Sequence, residues 1–130
     1  MDEDDRVLTI DDYFDQPLKG VAEYRGRPHY YNRQFDRETD AYLDVFILTP
    51  LDAEAFELAM AAWGIWLDWK MAFRRGEVPA NSHPPHEPET SSYGQLTRDF
   101  SKYVEQNQGS SFEAKGVMDS NTDRVRWLTV

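Results

Sequence analysis

Residues 20–35 read GVAEYRGRPHYYNRQF, and residues 36–48 continue DRETDAYLDVFIL. The first stretch predicts two strands, Gly20 to Tyr24 and His29 to Phe35, folded back across Arg25-Gly26-Arg27-Pro28. Gly26 tolerates the positive φ of a tight hairpin turn, and Pro28 suits the first residue of a strand. Asp36 to Asp40 is a second polar turn. Ala41 to Leu48 is the strongest strand, with Leu43, Val45 and Ile47 on one face and Tyr42, Asp44, Phe46 and Leu48 on the other. Strands joined by connections this short are antiparallel neighbours, so the sheet is a meander.

Upstream of the meander, Arg6 to Ile10 is a short β-branched strand, residues 1–5 are an acidic tail expected to fray, and DDYFDQP (11–17) breaks the strand with turn formers. Downstream, Thr49-Pro50-Leu51-Asp52 announces a helix that runs to about Arg75 and stops at Gly76. Apolar residues cover most of that helix's girdle. Trp63 and Trp66 are assigned to the core, and steps of three are expected to fan the tryptophans round the axis rather than stack them. Trp69 and Phe73 are the candidates for an exposed anchor, met by a partner or by a second copy in a homodimer through the tryptophan-rich helix.

Residues 77–90 form a proline-rich loop. A shorter helix follows from Ser92, with Tyr93, Leu96, Phe100, Tyr103 and Val104 at helical spacing, and Gln106 to Ser111 ends it. Phe112 to Met118 and Arg124 to Val130 read as a closing hairpin. The expected fold is α+β, in one domain spanning 1–130. An antiparallel meander, curled toward a small barrel if the C-terminal strands pair suitably, packs on one long and one shorter helix.

Composition bounds the function. The 130 residues carry 24 acidic and 14 basic side chains, a net charge of −10. Residues 1–57 hold 15 acids and 6 bases, a net of −9, whereas residues 58–130 are nearly balanced at −1. Such a field repels nucleic acid and anionic membranes and favours a basic protein partner, although solubility alone also accounts for surface acids. With no cysteine, the chain has no disulfide framework, thiolate metal site or cysteine nucleophile. The acidic start and the absence of an apolar run of bilayer length lead to the expectation of a cytoplasmic protein.

DDYFDQP (11–17), GVAEYRGRPH (20–29) and WGIW (63–66) together resemble a group of small uncharacterised bacterial proteins. The resemblance covers roughly the first 75 residues and the His83-Pro84 step. It implies a bacterial origin and a single domain, and it brings no activity and no site residue with it.

Few residues announce chemistry. His83, His86 and Glu87 are the most metal-like cluster, but the prolines around them keep the segment extended, and no metal or other cofactor is assigned. His29 can serve as a general base beside a carboxylate or simply as a hydrogen-bonded sheet residue. No phosphate loop, dinucleotide fingerprint, nucleophile elbow or zincin motif is present. The favoured reading is a small acidic module that captures or inhibits a basic partner, in the manner of an immunity protein, antitoxin or phage inhibitor. Its contact residues would be Asp11, Asp12, Asp15, Asp36, Glu38, Asp40 and Asp44, with Trp69 and Phe73. The alternative is a metal- or small-ligand-dependent enzyme with a pocket between the sheet and the long helix.

Overall fold

The structure, a computed structural model, describes residues 4–79, 92–119 and 121–128. The fold is α+β: an antiparallel seven-stranded sheet and two helices. The strands are β1 (Asp5–Arg6), β2 (Asp12–Tyr13), β3 (Pro17–Tyr24), β4 (Arg27–Asp36), β5 (Ala41–Pro50), β6 (Phe112–Asp119) and β7 (Arg124–Leu128). The helices, α1 (Ala53–Arg74) and α2 (Ser92–Gln106), interrupt the meander between β5 and β6. The chain divides into two compact units. One runs up to Asp52 and resumes at Asn107, and the other spans Ala53 to Gln106.

The β3–β4 hairpin forms where residues 20–35 predict it. Tyr24 pairs with Arg27, and Arg25 (φ 54°) and Gly26 (φ 79°) both take the left-handed conformation that a two-residue primed turn requires. On β5 the even-numbered face turns inward: Phe46 and Leu48 are fully buried, while Leu43 is exposed. The C-terminal hairpin also forms, with Asp119 opposite Arg124.

The sheet order is β1-β7-β6-β5-β4-β3-β2, so one N-terminal segment supplies both of its ends. Asp5 and Arg6 pair with Val125 and Arg124 of β7. Val7 then bridges to Ala22 of β3, the Leu8 and Thr9 N–H groups donate to the Val21 carbonyl, and Asp12 pairs with Lys19. Both edges are thereby tied to a single stretch of backbone, and the sheet curls. Inside lie Val7, Ala22, Tyr31, Phe46, Leu48 and Val125.

Two expectations for the N-terminus change as a result. Asp4 and Asp5 of the acidic tail are held, while residues 1–3 lie outside the described residues: Arg126 Nε donates to the Asp4 carboxylate at 3.1 Å, and Asp5 accepts the N–H groups of Arg25 and Gly26, each at 3.0 Å. The DDYFDQP breaker contains β2, because the partner strand β3 begins earlier than expected, at Pro17.

Close packing locks the curl. The Tyr31 hydroxyl donates to the Thr9 carbonyl at 2.9 Å, and the Thr9 hydroxyl oxygen accepts the Val21 N–H at 2.9 Å. Gly20 sits beneath this knot, where a Cβ would collide with the Thr9 carbonyl oxygen and stand 2.8 Å from the Tyr31 hydroxyl. Across the interior, Trp127 lies over Gly116, and its indole N–H donates to the Glu23 carbonyl at 2.7 Å.

The helical unit follows its sequence signals at one end more closely than at the other. Thr49 does not cap α1, since β5 continues to Pro50 and buries Thr49 opposite Tyr30; the helix starts after Asp52. At the C-terminus, Gly76 (φ 74°) donates to the Phe73 carbonyl and Glu77 to that of Ala72, the Schellman pattern. In α2 the predicted stripe holds, with Phe100 buried and Tyr93, Leu96, Tyr103 and Val104 half-buried. Among the described residues no helix is long and apolar enough to cross a membrane.

Gly20→Ala should destabilise the fold by about 2 kcal/mol or more, because the obstructing atom belongs to the backbone and cannot rotate away. Urea unfolding monitored by tryptophan fluorescence measures this. A loss below about 0.5 kcal/mol would show that the Thr9–Tyr31 knot is not tight.

Candidate functional site

The acids of the sheet unit sort by what holds them. Asp4, Asp5 and Glu23 are engaged in tying the N-terminal segment, Glu23 through a two-point contact with Arg6 at 2.9 and 3.1 Å. That contact lowers the Glu23 pKa. Asp36 shapes the β4–β5 turn, accepting from the Glu38 N–H at 2.9 Å and the Thr39 hydroxyl at 3.1 Å. These contacts use carboxylates as scaffolding.

Asp44 has a different task. Arg33 is buried and crosses an irregularity in the β4–β5 register, where its guanidinium donates to the Pro17 carbonyl (2.9 Å), the Leu43 carbonyl (3.0 Å) and the Asp44 carboxylate (2.8 Å). It also stands 4.3 Å from the centre of the Phe46 ring. Burial pushes the guanidinium's pKa down, and Asp44 pushes it back up. Asp44 therefore compensates a buried charge, which an unpaired arginine could not sustain there.

Asp11 and Asp12 lie close enough to Tyr30 that their charges add to burial in raising its pKa to about 12. Asp11 keeps an exposed surface, yet the protein crowded around its carboxyl group pushes its pKa up to about 6, against a hydrogen-bond interaction with Thr9.

Asp15 and Asp40 belong with the carboxylates that no donor among the described residues holds. Each occupies the left-handed region, at φ 60° and 53°, in the β2–β3 and β4–β5 turns respectively. The two turns meet around an open groove of about 460 Å³ lined by Phe14, Asp15, Gln16, Phe35, Asp40, Ala41 and Tyr42. Among the described residues neither carboxylate makes an ion pair or accepts a hydrogen bond. Phe14 is 66% exposed and Phe35 46% exposed. Phe35 meets Tyr42 edge to face with centroids 4.9 Å apart.

Of the residues singled out from sequence, the groove brings together Asp15 and Asp40 and places Asp36 and Glu38 in the adjoining turn. Asp44 belongs to Arg33. Trp69 and Phe73 sit in the helical unit, where Trp66, Trp69 and Phe73 form a stacked row at 5.4 and 5.1 Å. Trp66 and Trp69, expected to fan round the axis, stack instead, because residues three or four apart are neighbours on a helix surface, and Phe73 extends the row by a step of four. Trp63 and Trp66 are half-buried; the buried residues of α1 are Ala55, Ala59 and Ala62. The aromatic residues of the groove, Phe14, Phe35 and Tyr42, were not singled out from sequence. Phe14 had a legible signal, since an aromatic residue inside a turn of Asp, Gln and Pro has no sheet face to bury itself in.

His29 is buried in the sheet with Nδ1 2.8 Å from the Arg27 carbonyl and its ring edge-on to Tyr24 and Phe112. Burial lowers its pKa, against the Arg27 carbonyl and the Asp5 charge. This is the hydrogen-bonded sheet histidine. His83, His86 and Glu87 lie outside the described residues; among the described ones no group of three or more His, Asp or Glu side chains is placed to hold a metal ion. Comparison with family models, curated proteins and solved structures finds no match for this chain.

The raised Asp11 pKa gives a signed pH dependence. The folded protein holds that proton up to about pH 6, whereas the unfolded chain releases it near the ordinary aspartate value of 3.8. Asp11 thus favours folding below the lower value, and this contribution is lost as pH rises through the upper one. Asp11→Asn should flatten the stability–pH curve between those limits relative to wild type, as read by urea midpoints across pH 3.5 to 7. Superimposable curves would show that Asp11 is solvated.

Proposed function

We propose that the protein is an acidic binding module that captures, and by covering it inhibits, a basic partner protein. The observation that supports this most is the groove itself: two carboxylates unspent by the fold, Asp15 and Asp40, beside exposed aromatic rings. A fold that used all its acids as scaffolding would need no other explanation for them. Here Asp36, at the end of β4, and Asp44, within β5, are so used, while Asp15 and Asp40 in the turns are not.

Charge and rings act on different steps of such an encounter. Within the sheet unit, residues 1–52 hold 13 acids and 6 bases, a net of −7, and residues 107–130 balance at 3 against 3, so the unit steers a cationic surface toward itself and speeds association at low salt. Exposed Phe14 and Phe35 supply apolar area that a partner can cover, and this governs how long the complex lasts. Asp11 and Asp12 extend the negative surface along β2, and Asp11 gains its charge as pH rises through about 6.

The double variant Asp15→Asn/Asp40→Asn tests the reading. Asparagine tolerates the left-handed backbone of both sites, so the fold should survive. Wild-type protein on a column, exposed to lysate of its source organism, should retain a basic protein at about 0.05 M salt and shed it at about 0.5 M, where screening shortens the reach of charge. The double variant should retain at most a tenth as much at low salt. Equal retention by the two proteins would contradict the proposal.

A further inference from the structure

The composition of the groove discriminates between kinds of cation. A lysine ammonium is compact and strongly hydrated, and a single carboxylate in water serves it well. A guanidinium is planar and more weakly hydrated, stacks on aromatic faces and directs five N–H groups outward in its plane. The groove offers what the second needs. Phe14, Phe35 and Tyr42 line it, and an edge-to-face pair such as Phe35 with Tyr42 commits only one ring face between the two. Its carboxylates come from separate turns, Asp15 from one and Asp40 from the other, so donors pointing in different directions can each be met. The fold already seats one guanidinium in this manner: interior Arg33 lies over Phe46 and donates to a carboxylate and two carbonyls.

We infer that the groove is an arginine receptor, seating one arginine side chain of the basic partner with its guanidinium against the rings and its N–H groups on Asp15 and Asp40. This rests on the acidic-capture reading above and narrows it to a partner that presents an exposed arginine.

The probe is a five-residue glycine peptide with a central arginine, titrated into the full chain while the aromatic side-chain resonances are followed by NMR. Companion peptides carry lysine or citrulline, the latter keeping the shape without the charge. The arginine peptide should shift the rings of Phe14, Phe35 and Tyr42 saturably. The lysine peptide should bind about tenfold more weakly, as expected where stacking adds to charge, and citrulline should not saturate. Asp15→Asn/Asp40→Asn should abolish the arginine response while leaving the melting temperature in place. Equal binding of lysine and arginine, or no shift at the three rings, would overturn the arginine assignment. If lysate capture still depends on Asp15 and Asp40 in that case, the acidic-capture reading stands without it; capture that ignores both residues overturns the broader reading itself.

Discussion

Residues 5–13 are hydrogen-bonded to β7 on one side and to β3 on the other, and the interior of the sheet unit depends on that double attachment. A sheet whose two edges were left apart would expose unpaired backbone along β3 and β7 and leave the ring cluster around Trp127 open. One segment satisfies both edges, and side chains make its position specific. Asp5 reaches the Arg25-Gly26 turn, Arg6 holds Glu23, and Thr9 accepts from both Val21 and Tyr31. Gly20 is required because the backbone of Thr9 comes too close for any side chain.

The same architecture decides which acids are left over. Of the acidic side chains in residues 1–57, those near the N-terminal segment and Arg33 are occupied by donors, which is how an acid-rich unit avoids repelling itself apart. The buried cation Arg33 is the clearest instance, since it needs Asp44 as much as Asp44 tolerates it. Asp15 and Asp40 fall outside this system because the turns that carry them face a groove rather than a donor. Their freedom is a product of topology: β2 exists only because the N-terminal segment runs along β3, and that run delivers Phe14 and Asp15 to the β4–β5 turn.

Local chemistry was legible in the sequence, and closure was not. Arg25-Gly26 announced its hairpin because positive φ at a two-residue turn is a local demand, and Gly76 announced the end of α1 for the same reason. Thr49-Pro50 misled because sheet pairing opposite Tyr30 outweighed a local capping signal. The pairing of Asp5 with Val125 joins residues far apart in the chain, and hydrophobic periodicity carries no information about it. The groove suffered likewise. Its acids were visible as turn formers, but their meeting depends on two hairpins lying side by side, and the loss of Asp44 to Arg33 depends on a register irregularity.

The division of the acids into scaffold and surplus is what the functional reading rests on, and unfolding free energy measures it most directly. The set is Asp5→Ala, Asp36→Ala and Asp44→Ala against Asp15→Asn and Asp40→Asn, with asparagine chosen for the two left-handed sites. Asp5→Ala and Asp36→Ala should each lose about 1 kcal/mol, the usual worth of hydrogen bonds removed from a folded protein, and Asp44→Ala about 3 kcal/mol, because it leaves the buried Arg33 charge uncompensated. The last two should stay within about 0.5 kcal/mol of wild type. A loss at Asp15 or Asp40 as large as that at Asp44 would mean that the groove's carboxylates are structural after all, and the case for a binding site there would fall.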